Sequence, residues 1–461
     1  MPTTLDCELF RDVFGSSEMR RAFDTLAMVQ GWLDAEAALA QAQAEVGVIP
    51  NAAAQRIAEE ARAERYDLAE LRAGIAESRH PLVPLIRALV ARCGDHGAYV
   101  HWGATTQDIM DTGMVLQVQA ALPWLLQRVL AAQHSCAQLA ACHADAAMPA
   151  RTHGQQAVPM TFGLKAAGWA DELSRVATRL AAAREAISVA QLGGAGGTLA
   201  TLGDDADAVL QRFCARLGLR RPAVPWFAAR DRVRDLANAL AELGAAAERV
   251  AAEVIRLQAT EVAELAESVD EAHVGSSTMP QKRNPMMCEY VVASSRLLRA
   301  SVDALNNAVA HAGERDMALW AVEWLAVPQA FILAGGVAEK LADLVGSLEV
   351  DAERMRANLD LAGGEIMAEA AMMAIATTLG HEQAHAVVTA ASRSARAERR
   401  ALIDALSESA QAAPALDAAT IERLRDPERY LGWSAERARA LGEAAPPAVG
   451  LAESETEGSE R

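Results

Sequence analysis

The feature that most constrains this chain is an apolar seam within residues 231–264. Apolar side chains recur there at alternating spacings of three and four, the pattern of a heptad, at Val233, Leu236, Leu240, Leu243, Ala247, Val250, Val254 and Leu257. The seam predicts one continuous α-helix of about 25 residues, or roughly 37 Å at a rise of 1.5 Å per residue. Residues 164–190 and 285–310 have a similar length and amphipathic character. Helices this long pack side by side as a bundle.

The composition agrees with a helical protein. The 461 residues are 52% hydrophobic but only 4% aromatic, and Ala and Leu are more prominent than β-branched runs. The predicted fold is all-α. It has an N-terminal helical domain at 1–108, a central long-helix bundle at 109–346, a C-terminal helical domain at 347–444 and a disordered acidic tail at 445–461. Because the apolar stripes are wide, we expect the bundle to associate with copies of itself.

Shorter helices are predicted on both sides of the bundle. One contains residues 31–39 and ends near Gly47, because Pro50 follows shortly after that glycine. Another spans 82–91, after the break at Arg79-His80-Pro81. In the last part of the chain, helices are predicted at 351–359, 368–379 and 381–398.

Charge and cysteine usage exclude several classes of protein. The net charge is −18 and there is no basic stripe, so nucleic acid is not an expected partner. No uninterrupted apolar run reaches about 18 residues, so no membrane segment is expected. The six cysteines form no CxxC pair, which favours a reducing, cytoplasmic compartment over zinc binding. An anionic substrate would need a locally positive site, for which Lys282 and Arg283 are candidates.

Three polar segments interrupt the helical pattern. They lie at 99–108, 151–159 and 275–285, and they carry His101, Thr105, Thr106, His153, Ser276, Lys282 and Asn284. Imidazoles, hydroxyls and a cation together suit the movement of a proton next to a carboxylate. A Ser-His-Asp hydrolase is the competing use of these groups, but the chain lacks a GxSxG elbow and an α/β alternation.

The glycine-rich run at 193–198 superficially resembles a phosphate-binding loop. It is not followed by Lys-Ser/Thr, and no strand is predicted before it. We predict a tight bend there, whose backbone N–H groups face a carboxylate.

The segment Gly275-Ser-Ser-Thr-Met-Pro-Gln-Lys-Arg-Asn284 is similar to the signature loop of the fumarase/aspartase superfamily. That superfamily includes argininosuccinate lyase, adenylosuccinate lyase and 3-carboxy-cis,cis-muconate cycloisomerase. The segments at 105–108 and 151–155 resemble its two other active-site regions, in the same order. The resemblance implies an all-helical homotetramer in which each active site takes its three loops from three subunits. It also implies a small dicarboxylate substrate and no metal or organic cofactor.

The resemblance assigns roles residue by residue. Ser276 matches the catalytic base, and the adjacent Ser277 remains an alternative. Lys282 and Asn284 match the residues that hold the substrate carboxylate. His153 matches the imidazole that protonates the leaving group, and Glu289 matches the carboxylate that orients it. A serine acts as a base only if nearby donors lower its pKa in a closed site, and Gly275 would let the loop hinge shut.

Further positions are implied to contact the substrate. His80 and His101 resemble two histidines of adenylosuccinate lyase, and Thr105, Thr106 and Gln107 match substrate-contacting positions. The segment 315–324 resembles the phosphate-binding region of adenylosuccinate lyases, and here Arg315 and Trp320 are predicted to contact the substrate. Trp320 and Trp324 stand where serine and arginine would bind a nucleotide phosphate, so an AMP-bearing substrate is not expected.

Two features favour different members of the superfamily. Flanking sequence is most similar to the cycloisomerases, but bacterial cycloisomerases tend to have tryptophan at the position of His153 and no acid at the position of Glu289. This chain has both His153 and Glu289, a pair that would serve the elimination of a leaving group. We therefore predict a β-elimination lyase, similar to nitrosuccinate lyases, that releases fumarate or a similar unsaturated dicarboxylate from a small substituted succinate. Its leaving group would be amine-like or nitro.

Two alternatives remain. One is 3-carboxy-cis,cis-muconate cycloisomerase of protocatechuate degradation, which runs the same chemistry as an intramolecular lactonisation. The other is a non-enzymatic structural role, as in the lens proteins of this superfamily. The intact set of Ser276, Lys282, Asn284 and His153 argues against the structural role.

Overall fold

The structure, a computed structural model, describes residues 7–268, 279 and 281–444. Within these residues the chain forms eighteen α-helices and four short β-strands. The chain divides into two compact units, each drawn from three separate stretches. The first unit comprises Met1–Arg128, Val176–Ala247 and Tyr290–Glu339, and the second comprises Val129–Arg175, Glu248–Glu289 and Lys340–Arg461. The three consecutive domains stay a prediction, and the predicted tail at 445–461 lies outside the described residues.

The helices follow the predicted change from short to long and back to short. The N-terminal helices are α1 (Arg11–Phe14), α2 (Ser17–Ala22), α3 (Thr25–Val46), α4 (Asn51–Glu60), α5 (Leu68–Ser78) and α6 (Val83–Cys93). The middle of the chain forms α7 (Thr106–Cys142), α8 (Phe162–Ile187), α9 (Ala206–Leu217), α10 (Asp231–Gln258), α11 (Met286–Asn307) and α12 (Met317–Gly346). The last helices are α13 (Ala352–Asn358), α14 (Ala368–Leu379), α15 (His381–Glu398), α16 (Leu402–Glu408), α17 (Ala418–Arg425) and α18 (Ser434–Ala444).

The strands form two small antiparallel pairs. Strand β1 (Ala147–Thr152) pairs with β2 (Gln155–Thr161), and β3 (Leu265–Ala266) pairs with β4 (Glu349–Val350). The first pair occupies the segment that was predicted as a polar loop. Pro149 and Pro159 exclude a helix there, and Gly154 permits the tight turn between the two strands.

The apolar seam of α10 is buried along its length, as predicted. The helix ends at Gln258 instead of Glu264, because the chain turns back at Ala263, where φ is +53°. The N–H of Glu264 then donates to the carbonyl of Leu257 at 2.8 Å. This turn delivers the carboxylate of Glu264 to a buried ion pair in the second unit.

Helix α12 is more apolar than we expected from the sequence. An 18-residue window of Met317–Gly346 has a mean hydropathy of 1.5, so by length and composition alone this helix is able to cross a membrane. Core helices of soluble proteins also reach this value, and 44% of that window is buried. The helix also carries a buried carboxylate, Glu323, which pairs with Arg230.

Close helix contacts in the first unit place the start of α7. Helix α3 packs against α4 and α9 and crosses α7 where two glycines meet. A Cβ added at Gly31 would lie 3.1 Å from the carbonyl oxygen of Gly113, and one at Gly113 would lie 2.6 Å from the Trp32 ring. Glycine is therefore required on both helices for this approach. Helix α3 ends at Gly47, which has φ +90°, as the sequence indicated.

The second unit has a separate apolar core in its C-terminal part. Helices α14 to α17 bury their apolar side chains together, with Leu359 and Ile366 from the preceding segment and Ala147 from β1. This core supports the β1–β2 hairpin, which carries one of the predicted catalytic residues.

Candidate active site

The predicted site residues are divided between the two units. The first unit contains His80, His101, Thr105, Thr106, Gln107, Arg315 and Trp320, and the second contains His153, Lys282, Asn284 and Glu289. Ser276, Ser277 and Gly275 lie outside the described residues. Each unit is described by itself below.

Arg315 joins the polar segment before α7 to the start of α12. Its Nε donates to Oε1 of Gln107 at 3.1 Å, and its Nη2 donates to Oγ1 of Thr105 at 2.7 Å. The next residue, Asp316, caps α12 by accepting from the N–H of Leu319 at 3.2 Å. The remaining N–H groups of Arg315 have no acceptor among the described residues, so the half-buried guanidinium is available for an anion.

Two histidines of the first unit have pKa values shifted in opposite directions. Burial, followed by the positive charges of Arg315 and His101, lowers the pKa of His80, and its Nδ1 accepts from the N–H of Leu82 at 3.3 Å. Burial also acts to lower the pKa of His101, but the carboxylate of Glu36, 2.5 Å from its Nδ1, outweighs burial and raises it. One imidazole therefore favours the neutral form and the other the cationic form. We call this set the Arg315 cluster, comprising Arg315, His80, His101, Thr105 and Gln107.

Asp108 holds the glycine-rich bend. Its carboxylate accepts from the N–H groups of Gly193 and Gly194, at 2.7 and 3.0 Å, and from that of Thr105 at 2.9 Å. The prediction that N–H groups of this bend face a carboxylate is confirmed, and the carboxylate belongs to the chain itself. Burial raises the pKa of Asp108 to about 7, although the three N–H groups favour its charged form.

A buried ion network lies behind the Arg315 cluster. Arg230 donates to both oxygens of Asp111, at 2.8 and 3.1 Å, and to both oxygens of Glu323. Trp320 is 1% exposed, and its indole N–H donates to Asp111 at 2.9 Å. We call Arg230, Asp111, Glu323 and Trp320 the Arg230 network. Since the indole N–H already has an acceptor, only the ring of Trp320 remains for the predicted substrate contact, which stays a prediction.

Sequence reasoning missed several residues of this region. Asp111 was missed, although it lies four residues after the predicted Gln107 on the same face of α7, a spacing that was a usable signal. Arg230 and Glu323 are far apart in sequence, so no local pattern pairs them. His311 was also missed: both of its ring nitrogens are buried, and burial, with the charge of Arg230, lowers its pKa.

In the second unit, His153 lies at the tip of the β1–β2 hairpin. Thr152 pairs with Gln155, so His153 and Gly154 form a two-residue turn, with φ of +52° and +78°. Positive φ at both turn positions is typical of a type I′ hairpin. These four residues are exposed, so the imidazole projects from the unit at a turn set by its own backbone.

A buried ion pair secures the base of this hairpin. Arg151 donates to both carboxylate oxygens of Glu264, at 2.8 and 2.5 Å, and the side chains are 8% and 0% exposed. Asn358 donates to the same carboxylate at 2.7 Å, and Gln156 on β2 donates to the carbonyl of Asn358 at 2.8 Å. The strand that leads to His153 is therefore attached to the turn after α10 and to α13.

The described end of the signature segment borders a large cavity. Lys282, Asn284 and Glu289 line a cavity of about 1240 Å³ in the second unit. Arg283 also lines it, and its guanidinium pairs with Glu349 at 2.8 Å, so its charge is partly offset; its role as a source of local positive charge stays a prediction. Among the described residues, no hydrogen bond joins Glu289 to His153. Both side chains are exposed, and the orienting role of Glu289 stays a prediction.

A second anchor, which we call the Glu267 clasp, holds both ends of this segment. The Glu267 carboxylate accepts from the N–H groups of Met287 and Cys288, at 2.9 and 3.0 Å, and so caps α11. Gln258 accepts from the N–H of Glu267 at 2.8 Å and donates to the carbonyl of Arg283 at 3.1 Å. The clasp fixes where the segment leaves β3 and where it enters α11.

Comparison with known proteins agrees with this arrangement. The family described as Lyase matches residues 14–297, and the family described as adenylosuccinate lyase C-terminus matches residues 364–440. The 3-carboxy-cis,cis-muconate cycloisomerase of Pseudomonas aeruginosa is 39% identical, over 95% of this chain and 96% of that protein. The nitrosuccinate lyase of Streptomyces davaonensis is 36% identical, over 94% of both chains. The N-acetyl-S-(2-succino)cysteine lyase of Enterococcus italicus is 35% identical, over 94% of this chain and 95% of that protein.

The fold agrees as well. The crystal structure of the 3-carboxy-cis,cis-muconate lactonizing enzyme from Pseudomonas putida superimposes with a TM-score of 0.88, at 34% identity, over 95% of this chain and 98% of that one. Relatives of this similarity and coverage include both cycloisomerases and lyases, so they establish the family without selecting one reaction. The chain belongs to the fumarase/aspartase superfamily and is an enzyme of that superfamily.

Proposed function

We propose that this enzyme is a β-elimination lyase that forms fumarate, or a similar unsaturated dicarboxylate, from a small substituted succinate. The observation that carries the proposal is the imidazole of His153, presented at an exposed hairpin tip in a chain that also lines one cavity with Lys282, Asn284 and Glu289. An acid is needed to protonate a departing amine or thiolate, whereas an intramolecular lactonisation releases no leaving group.

In the proposed reaction, Ser276 or Ser277 removes a proton from the carbon next to a carboxylate. The electron pair of that C–H bond forms the new double bond, and the bond to the leaving group on the adjacent carbon breaks. Lys282 and Asn284 stabilise the charge that builds on the carboxylate before the leaving group departs. His153, oriented by Glu289, protonates the leaving group.

The Arg315 cluster supports recognition of a second anionic group. A guanidinium held by Thr105 and Gln107 is preorganised for a carboxylate, and the neighbouring His101 adds positive charge. These contacts suit a dicarboxylate in a protein whose net charge is −18, because they provide local positive charge against the overall negative field.

We further propose that the active site is completed in a homotetramer located in the cytoplasm. His153 and Glu289 are both exposed and are not joined by a hydrogen bond within the described chain, which supports their pairing across subunits. The six unpaired cysteines support a reducing compartment.

The second candidate function is 3-carboxy-cis,cis-muconate cycloisomerase. It is favoured by the 39% identical cycloisomerase of Pseudomonas aeruginosa and by the lactonizing enzyme of Pseudomonas putida, each matching over 95% of this chain. In this reaction a carboxylate oxygen of the substrate adds to a double bond and the adjacent carbon gains a proton, so the serine would act as the proton donor, and Lys282 and Asn284 would stabilise the same charge on the carboxylate.

A substrate panel separates the two candidates. Purified protein is incubated with 3-carboxy-cis,cis-muconate, nitrosuccinate, aspartate, argininosuccinate and N-acetyl-S-(2-succino)cysteine, and fumarate absorbance and lactone formation are followed. We expect fumarate from at least one substituted succinate and little lactone. Rapid lactone formation without fumarate from any succinate would overturn the lyase proposal and establish the cycloisomerase.

A further inference from the structure

We propose that Asp111 is a positioning residue for substrate binding: it sets the direction in which the Gln107 amide faces and thereby holds Arg315 ready for a substrate carboxylate. The identity of that anion rests on the proposed function. The inference itself rests on contacts within the first unit, and no motif for the reaction contains Asp111.

The amide of Gln107 has only one orientation that satisfies its neighbours. Its Nε2 donates to Oδ2 of Asp111 at 3.2 Å and to the carbonyl of Phe227 at 3.0 Å, and both of these groups can only accept. The amide oxygen must therefore face the other way, where it accepts from Nε of Arg315 at 3.1 Å. The reversed amide would place an oxygen against two acceptors and N–H groups against a guanidinium.

Asp111 is itself held rigidly. It is 2% exposed and accepts from both terminal nitrogens of Arg230 and from the Trp320 indole. Donors therefore reach both of its oxygens, so the carboxylate has a fixed position. Gln107 is 0% exposed and contacts this fixed acceptor, so solvent does not compete for the amide.

The fixed orientation of the Gln107 amide in turn orients the guanidinium of Arg315. Its Nε and Nη2 are occupied by Gln107 and Thr105, which fixes the plane of a long, flexible side chain before substrate arrives. A planar guanidinium with a fixed orientation binds a carboxylate through two parallel hydrogen bonds. Loss of the Gln107 contact leaves Arg315 charged and present but no longer oriented.

A double-mutant cycle between Asp111→Asn and Gln107→Met tests the inference. In the full-length enzyme, we expect Asp111→Asn to raise KM by about 10- to 100-fold, with a smaller change in kcat, because orientation is lost and the reacting groups are unchanged. In the Gln107→Met background the same substitution should add no further increase in KM, because the amide it orients is gone. Fully additive effects on KM would overturn the proposal.

Glu323→Gln is the matched control. It also removes one of the two carboxylates that bind Arg230, but Glu323 makes no hydrogen bond to Gln107 or Trp320 among the described residues. A purely structural role for the Arg230 network predicts equal effects of Glu323→Gln and Asp111→Asn on thermal stability and on KM. The positioning role predicts a similar loss of stability from both, with the rise in KM confined to Asp111→Asn.

A second variant keeps the inference testable if Asp111→Asn does not fold. Gln107→Glu leaves the Arg230 network intact and supplies a carboxylate that is able to accept from Arg315, but it lies next to Asp111. If Asp111 governs this position, repulsion between the carboxylates turns the new group away and KM rises. An unchanged or lower KM would contradict the proposal.

The test also separates this inference from the proposed function. If the wild type forms lactone and no fumarate, the lyase proposal fails. The double-mutant cycle is then measured with 3-carboxy-cis,cis-muconate as the substrate, and its KM is compared among the variants. The Kd for fumarate, measured by calorimetry, gives a readout that does not depend on turnover. If the enzyme is an active lyase but the effects of the two substitutions on KM are additive, only the positioning role of Asp111 is refuted, and the proposed function stands.

Discussion

The pKa values of two histidines of the first unit are shifted in opposite directions by their surroundings. Burial and the positive charge of Arg315 lower the pKa of His80, whereas the carboxylate of Glu36 raises the pKa of His101 despite burial. Groups whose pKa values are pushed apart in this way are suited to separate acid and base roles. At the scale of residues, these pKa shifts come from partners that are distant in sequence, such as Glu36 for His101.

The His101–Glu36 pair makes stability depend on pH. The pKa of folded His101 is raised above its unfolded value, so the pair stabilises the fold fully below the unfolded pKa of about 6.5, and this contribution is lost as pH rises through the folded pKa. We expect Glu36→Gln to reduce the free energy of unfolding most at acidic pH, with a difference from wild type that shrinks at alkaline pH. Urea unfolding over a pH series measures this difference, and a constant difference would refute the coupling.

The identity of the base is also a prediction at the residue scale. We expect Ser276→Ala to lower kcat by about 10²- to 10⁴-fold, the usual contribution of a positioned proton acceptor, with little change in fold. Ser277→Ala is the matched control, since it removes an adjacent hydroxyl, and it should lower kcat far less. Steady-state kinetics with circular dichroism distinguish the two, and the reverse pattern would assign the base to Ser277.

At the scale of elements, the long helices were predicted more accurately than the β1–β2 hairpin. Periodicity and glycine punctuation predicted the end of α3 at Gly47 and the extents of α14 and α15. The hairpin was missed because its strands are short and carry two prolines, so the segment had no clear alternation. The C-terminal end of α10 and the pairing of Arg283 were also missed. The helix ends before a local turn at Ala263 that no glycine or proline signals, and Arg283 pairs with Glu349, which is distant in sequence.

The hairpin anchor gives a prediction at this scale. Arg151→Met leaves the buried carboxylate of Glu264 without its cation, and we expect a loss of about 3–5 kcal/mol in the free energy of unfolding. The control is Arg175→Met, which removes an arginine from an exposed pair with Asp171 on α8 and should leave the unfolding midpoint unchanged. Equal midpoints for the two variants in urea would contradict the buried role of Arg151.

At the scale of the whole molecule, the predicted catalytic residues come from different parts of the chain and from both units. The sequence resemblance predicted this set through three ordered motifs, although no single-chain pattern indicated which residues act together. The Arg315 cluster forms within one unit, whereas His153 and Glu289 have no hydrogen bond to each other in the described chain. The proposed sharing of the active site between subunits would account for that separation.

Subunit sharing predicts that two inactive variants restore activity to each other. We expect Ser276→Ala and His153→Ala to be nearly inactive separately. After joint unfolding and refolding, mixed oligomers should regain a measurable fraction of wild-type activity, because some sites then receive both intact residues. Activity assays with multi-angle light scattering test this, and tetramers that stay inactive after mixing would show that each site is built from one chain.

The Glu267 clasp has a consequence for engineering. Gln258 and Glu267 join the two ends of the signature segment to each other and to α11. The distance between Glu267 and Arg283 is therefore fixed by these hydrogen bonds and not by the residues between them. The cost of closing a loop of fixed span changes slowly with its length. We therefore expect this scaffold to accept segments of moderately different length from other members of the superfamily in place of residues 268–282.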